Sequence, residues 1–467
     1  MRIRDRSFRA VAGLAVSAAL LLAPGCRAPA GPERVFSDVD PLRSVIVLSP
    51  DKDEIKETYN LYADSPVLSL GYWDGMAGQH RVFSDLLENR GIRVLDLVDL
   101  LEDAIANARK AGRLESALAG IFPGEFPRLK DELPRITARA LLGRDPGFFF
   151  RYDEKGSLTP LVPTSGAFFF TRDFAVSTPR GIIITNSRPR WRKHEHLLGK
   201  FVFRFARALE AFPIAFDADA EGVRCDGGDI IVKDERTLLM GIGNFSDREA
   251  AAKIARKLDM DVVGVSMPSM ERPSGANFEI MHLDTVFNFV DRKKVLTVPY
   301  LFLMKYADAN PVARYFRAVR DRPYPELAKG EYDLPVSLDA AIEAIPKVGW
   351  ITFFAAGTGE AREPGLKLGD YLLDQGYEII PVGGEREGLR EDDYLDNRVL
   401  YELGLQAANV VQLGPGTVVA YAHNRFTNEA MRKRGVNVLT FEGKYLADFM
   451  GGPHCLTMPL GRKPRTD

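Results

Sequence analysis

Cysteine is scarce in this chain of 467 residues, which has only Cys26, Cys225 and Cys455. Three thiols cannot form the dense disulfide framework of a small secreted scaffold. The 6 histidines show no ligand-spaced cluster, and the neighbours His194 and His196 read as solvent-facing, so no metal is expected. An excess of charge is missing too: 62 Lys and Arg face 64 Asp and Glu, a net charge of -2. With no basic stripe, nothing argues for a nucleic-acid partner. No repeat or low-complexity tract follows Pro32, and the uncharged run from Ala10 to Ala23 is too short to span a bilayer. What remains, 46% hydrophobic and 27% charged residues, is the balance of a globular protein with a sizeable core.

The N-terminus stands apart. Arg2, Arg4, Arg6 and Arg9 precede or edge the apolar run, and Ala23-Pro24-Gly25-Cys26 closes it. A basic start followed by such a run fits a secretory signal peptide over residues 1–26, which implies export to the periplasm or cell surface. Cys26 resembles the acylated cysteine of a bacterial lipobox, which would make the membrane a partner through a lipid anchor. Ala23 and Pro24 depart from that pattern, and ordinary cleavage with Cys26 incidental is the alternative. Residues 27–34 read as a tether.

From Val35 the pattern is α/β. Apolar runs bounded by turn residues predict strands at 44–48, 91–97, 181–185, 227–232, 237–242, 262–265, 285–290, 295–298, 350–355, 377–381 and 417–421. Helices are expected at 81–89, 247–257 and 427–434. Between Val98 and Pro146, Leu, Ala, Arg and Glu recur at helical spacing, broken by Pro123, Pro127 and Pro134. This reads as a helical insert, 98–146, in an α/β body formed by 35–97 and 147–467.

Five segments carry chemistry. Gly451-Gly452-Pro453-His454-Cys455 fixes an unusual backbone path before a thiol, as loops that present a reactive group do. A lone cysteine is more often buried filler, so a nucleophile needs a base elsewhere. His282 and Asp284 supply a base and a carboxylate, two apart on a segment expected to be extended, hence on one face. Asp226-Gly227-Gly228-Asp229 puts carboxylates on both sides of a double glycine. Phe168-Phe169-Phe170-Thr171-Arg172-Asp173 delivers an Arg-Asp pair behind aromatics, of which Phe170 could cover a planar substrate. Arg192-Lys193-His194-Glu195 reads at face value as an exposed helical charge cluster.

Taken together and in order, these segments resemble the arginine deiminases of the guanidino-group-modifying (amidinotransferase) superfamily. The matching family motifs are Phe-Thr-Arg-Asp, Glu-Gly-Gly-Asp, Met-His-Leu-Asp-Thr-Val-Phe and a terminal Gly-Gly-Pro-x-Cys-x-x-Met-Pro-Leu. The resemblance implies a pseudo-fivefold α/β propeller of ββαβ modules with a helical insert. It makes Cys455 the nucleophile, His282 the general acid/base, and Asp226 the carboxylate that orients the histidine. Asp173 and Asp284 become guanidinium clamps and Arg192 a ligand of the substrate carboxylate. The implied partner is a small-molecule guanidine; no cofactor is needed, and a homodimer is left open.

The departures lie at the substrate end. Asp226 stands for the family's Glu, Phe245 for an arginine gripping the substrate α-carboxylate, and Ala167 for an asparagine. Phe449-Met450 replaces Gly-Arg, and His454 replaces Arg. L-Arginine hydrolysis to L-citrulline and ammonia is therefore the leading expectation. Agmatine, acylated or peptidyl arginine, amidine transfer to an amine, and a non-catalytic guanidine-binding lipoprotein are the alternatives.

Overall fold

Strand pairing repeats one unit five times. In the computed structural model, which describes residues 33–51, 70–145, 150–152, 158–163, 165, 167–187, 192–268, 280–321 and 338–464, each unit has an antiparallel pair. A crossover then leads to a third strand lying parallel to its neighbour. The second unit pairs Ala175–Thr178 with Gly181–Ile184, and the Lys193–Phe205 helix leads to Ile214–Asp217. The third pairs Ile230–Asp234 with Thr237–Ile242 and crosses over through Arg248–Leu258 to Asp261–Ser266. In the fourth, Phe287–Asp291 and Lys294–Thr297 are followed by Glu378–Pro381. The fifth runs Val411–Gly414, Thr417–Tyr421, the Arg425–Lys433 helix and Asn437–Phe441. The first unit joins the chain ends: Leu42–Val47 lies antiparallel to Met458–Arg462 and, after the Leu70–Glu88 helix, parallel to Arg93–Asp96. This is a mixed α/β fold of separate sheets. None closes on itself among the described residues.

Local chemistry explains the units. Parallel strands need a helical crossover, whereas antiparallel ones need only a tight turn. The crossover helix Arg248–Leu258 starts where the Asp247 carboxylate accepts the Ala250 N–H at 2.7 Å. It buries Ala250, Ala251, Ile254, Ala255 and Leu258, one stripe at helical spacing. Between Leu97 and Leu141 the chain is helical, beginning at Leu97–Lys110 with Asp96 as its cap. No helix among the described residues is long and apolar enough to cross a membrane.

Several expectations are corrected. The first crossover helix begins at Leu70 rather than at 81. The expected strand at 227–232 opens instead with a 3-10 turn, Gly227–Asp229, because the Asp226 side chain accepts the Gly228 N–H. The strand expected at 285–290 starts at Phe287 and is preceded by a single helical turn, Leu283–Val286. Of the residues expected to form a tether, Glu33 and Arg34 belong to the compact unit, where Arg34 bridges to Arg462, and 27–32 lie outside the described residues. The expected signal peptide and Cys26 lie outside the described residues.

Candidate active site

Cys455 sits in a turn just before the C-terminal strand, almost fully buried. Its Sγ donates to Asp284 Oδ2 at 3.5 Å and accepts from Asn409 Nδ2 at 3.1 Å. Burial, reinforced by the negative charges of Asp284 and Asp173, pushes the thiol well above its ordinary range. Cys225, by contrast, is a second buried free cysteine beside Asp226, with its thiol also pushed up by burial.

His282 and Asp284 come together by a different route from the one expected. They do not alternate along a strand. His282 is extended and caps the turn Leu283–Val286, while Asp284 lies inside that turn. The turn is fixed from below by Asp229, whose Oδ1 accepts the Leu283 N–H at 3.0 Å. His282 packs so closely on the double glycine that a Cβ on Gly228 would lie 2.6 Å from its Nδ1. Its Nε2 is 3.7 Å from Asp226 Oδ1. Burial opposes a charge on the imidazole, but Asp226, Asp229, Asp173 and Asp284 outweigh it and raise the pKa to about 9. His282 is therefore protonated at neutral pH.

The carboxylates divide into anchored and open oxygens. Asp226 Oδ2 accepts from Ser187 at 2.7 Å; burial works against its charge, but His282 and Arg192 prevail and hold the carboxyl below its usual range. Asp173 Oδ2 is bound by Arg192 Nη1 at 2.7 Å; burial and the neighbouring Asp226 push its carboxyl upward. Asp284 Oδ2 accepts from His454 Nδ1 at 2.8 Å as well as from the thiol. Burial and Arg172 keep His454 neutral. The other oxygens, Asp173 Oδ1 and Asp284 Oδ1, have no hydrogen-bond partner among the described residues, and neither does His282 Nε2. A buried polar atom without a partner costs about 1–3 kcal/mol, so the two oxygens call for a ligand with N–H donors and the protonated Nε2 for an acceptor or a group that can take its proton.

Arg192 is not in an exposed charge cluster. It is buried, with Nε on Glu195 at 2.7 Å and Nη1 on Asp173, and His194, Glu195 and His196 are buried beside it. His194 meets Ser165 at 3.0 Å and His196 meets Thr185 at 2.6 Å, so neither faces solvent. The helix carries this face inward because Phe201, Val202 and Leu198 are buried on the same element. Phe170 is half-buried against the nucleophile loop: a Cβ on Gly451 would lie 2.0 Å from its ring. Phe245 stands edge-on to the His282 ring, centroids 4.5 Å apart. Met450 takes a left-handed backbone, φ 65°, and Ala167 holds Arg192 and Glu195 through its backbone.

Asn409 was missed from sequence. It is fully buried, and besides the sulfur bond its Oδ1 accepts the Cys455 N–H at 3.0 Å. The only signal was an amide next to the apolar Val410-Val411 strand start, which by itself reads as a turn residue. Arg172, seen only as half of an Arg-Asp pair, is likewise buried, bonded to His454 Nε2 and 3.8 Å from Asp38. Asp173, Asp226 and His282 present ligand atoms within 4.8 Å of one another and so could in principle hold a metal ion. Arg192 and Ser187 already engage an oxygen of each carboxylate, and a protonated His282 offers a metal no lone pair.

The arginine deiminase family profile matches residues 155–462. Curated relatives include the arginine deiminase of Metamycoplasma arthritidis, 27% identical, with 92% of this chain and 96% of that protein covered. The arginine deiminase of Clostridium perfringens is 26% identical over 92% of this chain and 98% of its own length. Among solved structures, the dimethylarginine dimethylaminohydrolase of Pseudomonas aeruginosa complexed with citrulline is 12% identical, covering 89% of this chain and 98% of that one, with a TM-score of 0.44.

Proposed function

Because the chain belongs to the arginine deiminase family and is a hydrolase acting on guanidino C–N bonds, we propose that it converts L-arginine to L-citrulline and ammonia through a thiouronium on Cys455. One observation carries the reading. Two buried carboxylates, each with an unpartnered oxygen, converge with a protonated histidine around a buried thiol.

A guanidinium is planar and cationic, and its N–H groups suit the open oxygens of Asp173 and Asp284. Each charge-assisted hydrogen bond is worth about 1.5–3 kcal/mol. Its positive charge lies beside the sulfur and offsets the two carboxylates that hold the thiol protonated. The thiol then releases its proton to solvent, and the thiolate attacks the guanidinium carbon. Protonated His282 gives its proton to the departing amine, and ammonia leaves. Neutral His282 next takes a proton from a water that attacks the thiouronium carbon; collapse of the adduct expels the thiolate, and the remaining hydroxyl proton passes to sulfur, leaving the thiol and citrulline. Asp226 holds the imidazole and its charge through both half-reactions. Phe170 would cover the guanidinium plane, and the five ββαβ units would stand around the site as a pseudo-fivefold propeller.

Recognition of the far end of the substrate is the open part of this reading. Arg192 is a counter-ion of Asp173 and Glu195, so binding a substrate carboxylate would mean sharing those bonds. Phe245 puts an apolar edge where the family places a second arginine. Agmatine and acylated or peptidyl arginine therefore belong in the assay. Export behind residues 1–26, with acylation of Cys26, is part of the same proposal; loss of membrane association in Cys26→Ala supports it, and a soluble mature protein starting elsewhere opposes it. The central test is citrulline and ammonia release from L-arginine, agmatine, N-acyl-arginine and arginyl peptides by wild type and Cys455→Ser. Release from arginine by wild type alone supports the reading. No release from any guanidine, or undiminished release by the variant, overturns it.

A further inference from the structure

We infer that Asn409 is a catalytic residue, a fixed neutral donor that stabilises the Cys455 thiolate. The inference rests on the thiouronium reading, but the measurement below does not.

The amide is locked in one orientation. Its Oδ1 accepts the Cys455 N–H at 3.0 Å, so the opposite corner must be the NH2 group. That group spends one hydrogen on Cys455 Sγ at 3.1 Å and the other on the Asp284 carbonyl at 3.2 Å. The backbone joins in, since the Asn409 carbonyl accepts the His454 N–H at 3.3 Å. Every polar atom of the side chain is thus used, and one of its bonds ends on the reacting atom. Close packing preserves the arrangement: a Cβ on Gly452 would lie 2.6 Å from the Asn409 Cβ and carbonyl oxygen, so only glycine admits the amide here.

The chemistry requires such a group. Asp284 and Asp173 bind a cation well but oppose a negative sulfur, and burial opposes it further. Against them stand the Gly452 N–H and the Asn409 amide. His282 cannot serve this purpose throughout, because it loses its proton midway through the cycle. A neutral amide keeps its dipole aimed at sulfur in every step. It stabilises the thiolate when it attacks and again when it is expelled, and it weakens no carboxylate clamp, as a second cation would.

The test reads sulfur ionisation directly. Alkylation of Cys455 by iodoacetamide is followed against pH in wild type, Asn409→Asp and Asn409→Ser, with Cys26→Ala and Cys225→Ala in the background to remove the other two thiols. The aspartate keeps the shape but puts an acceptor on the sulfur; the serine hydroxyl is too short to reach it. Both are expected to alkylate about tenfold more slowly than wild type at pH 8 and to converge with it at high pH, since only the thiolate fraction changes. Equal rates in variants that keep the wild-type Tm would reduce Asn409 to a structural amide and overturn the proposal. Should both variants fail to fold, the folded Cys225→Ala protein decides. The Asn409 side-chain amide proton should move downfield as Cys455 ionises, and the movement should vanish in Cys455→Ala. A resonance that ignores the titration also overturns it. Absence of citrulline release with normal ionisation behaviour would strike the proposed reaction and leave this inference standing.

Discussion

Replacing Asp284 by Asn should separate substrate binding from nucleophile ionisation, with effects of opposite sign. The carboxylate has one anchored oxygen, held by His454 at 2.8 Å and by the thiol at 3.5 Å, and one open oxygen. Asparagine keeps the volume and one acceptor but removes the charge. If the open oxygen clamps a guanidinium, one or two charge-assisted bonds are weakened, about 1.5–3 kcal/mol each. KM for arginine should therefore rise by at least about tenfold. The same change removes a negative charge 3.5 Å from sulfur. At that separation two charges interact by about 5 kcal/mol at an effective dielectric of about 20, an upper bound because Arg172 and His454 already offset the carboxylate. The thiol should thus ionise more readily, and iodoacetamide should alkylate Cys455 faster in Asp284→Asn than in wild type at pH 7 to 8. Steady-state kinetics and a timed alkylation suffice. A variant that is both slower to alkylate and unchanged in KM would refute the assignment of Asp284 as clamp.

His282, held near 9 against an ordinary 6.5, should act as an acid up to that pH, so turnover should fall as pH rises through about 9, and His282→Ala should lose kcat with little change in KM. The folded state binds this proton more tightly than the unfolded chain, so its contribution is complete below pH 6.5 and lost as pH rises through 9; about 3 kcal/mol should separate wild type from His282→Gln across that window in urea titrations. Gly228→Ala should displace His282, since the new methyl would lie 2.6 Å from Nδ1, and a loss of kcat of at least about tenfold with a folded protein by circular dichroism is expected. Phe245→Arg should lower KM for arginine by about ten- to a hundredfold and leave agmatine unchanged if Phe245 faces the substrate carboxylate; equal shifts for both would show that Phe245 serves only to pack His282.

What was legible in the sequence was whatever an apolar pattern or an ordered motif can carry. Apolar runs such as Thr237–Ile242 and Thr417–Tyr421 form strands with the expected bounds, because burying alternate or continuous side chains is a local demand. The motifs around Asp173, Asp226, His282 and Cys455 identified a family, and the fold brings those four segments to one place. Strands at Ala175–Thr178 and Asn437–Phe441 went unread, since Ser177 and Thr178 in the first and Asn437 and Thr440 in the second break the apolar run.

Tertiary structure decided the rest, and in each case a buried polar contact was responsible. The Arg192–His196 face looks like a solvated charge cluster by composition; it is buried because Asp173, Thr185 and Ser165 supply partners distant in sequence. His282 and Asp284 share a site although no strand carries them, because Asp229 captures the Leu283 N–H and turns the backbone there. Asn409 reaches the sulfur across 46 residues of chain. A sequence determines which side chains prefer to leave water, since that preference belongs to each residue alone. Which buried polar atoms find partners depends on positions that only the folded chain brings within about 3 Å, and the chemistry of this site is made of such pairs.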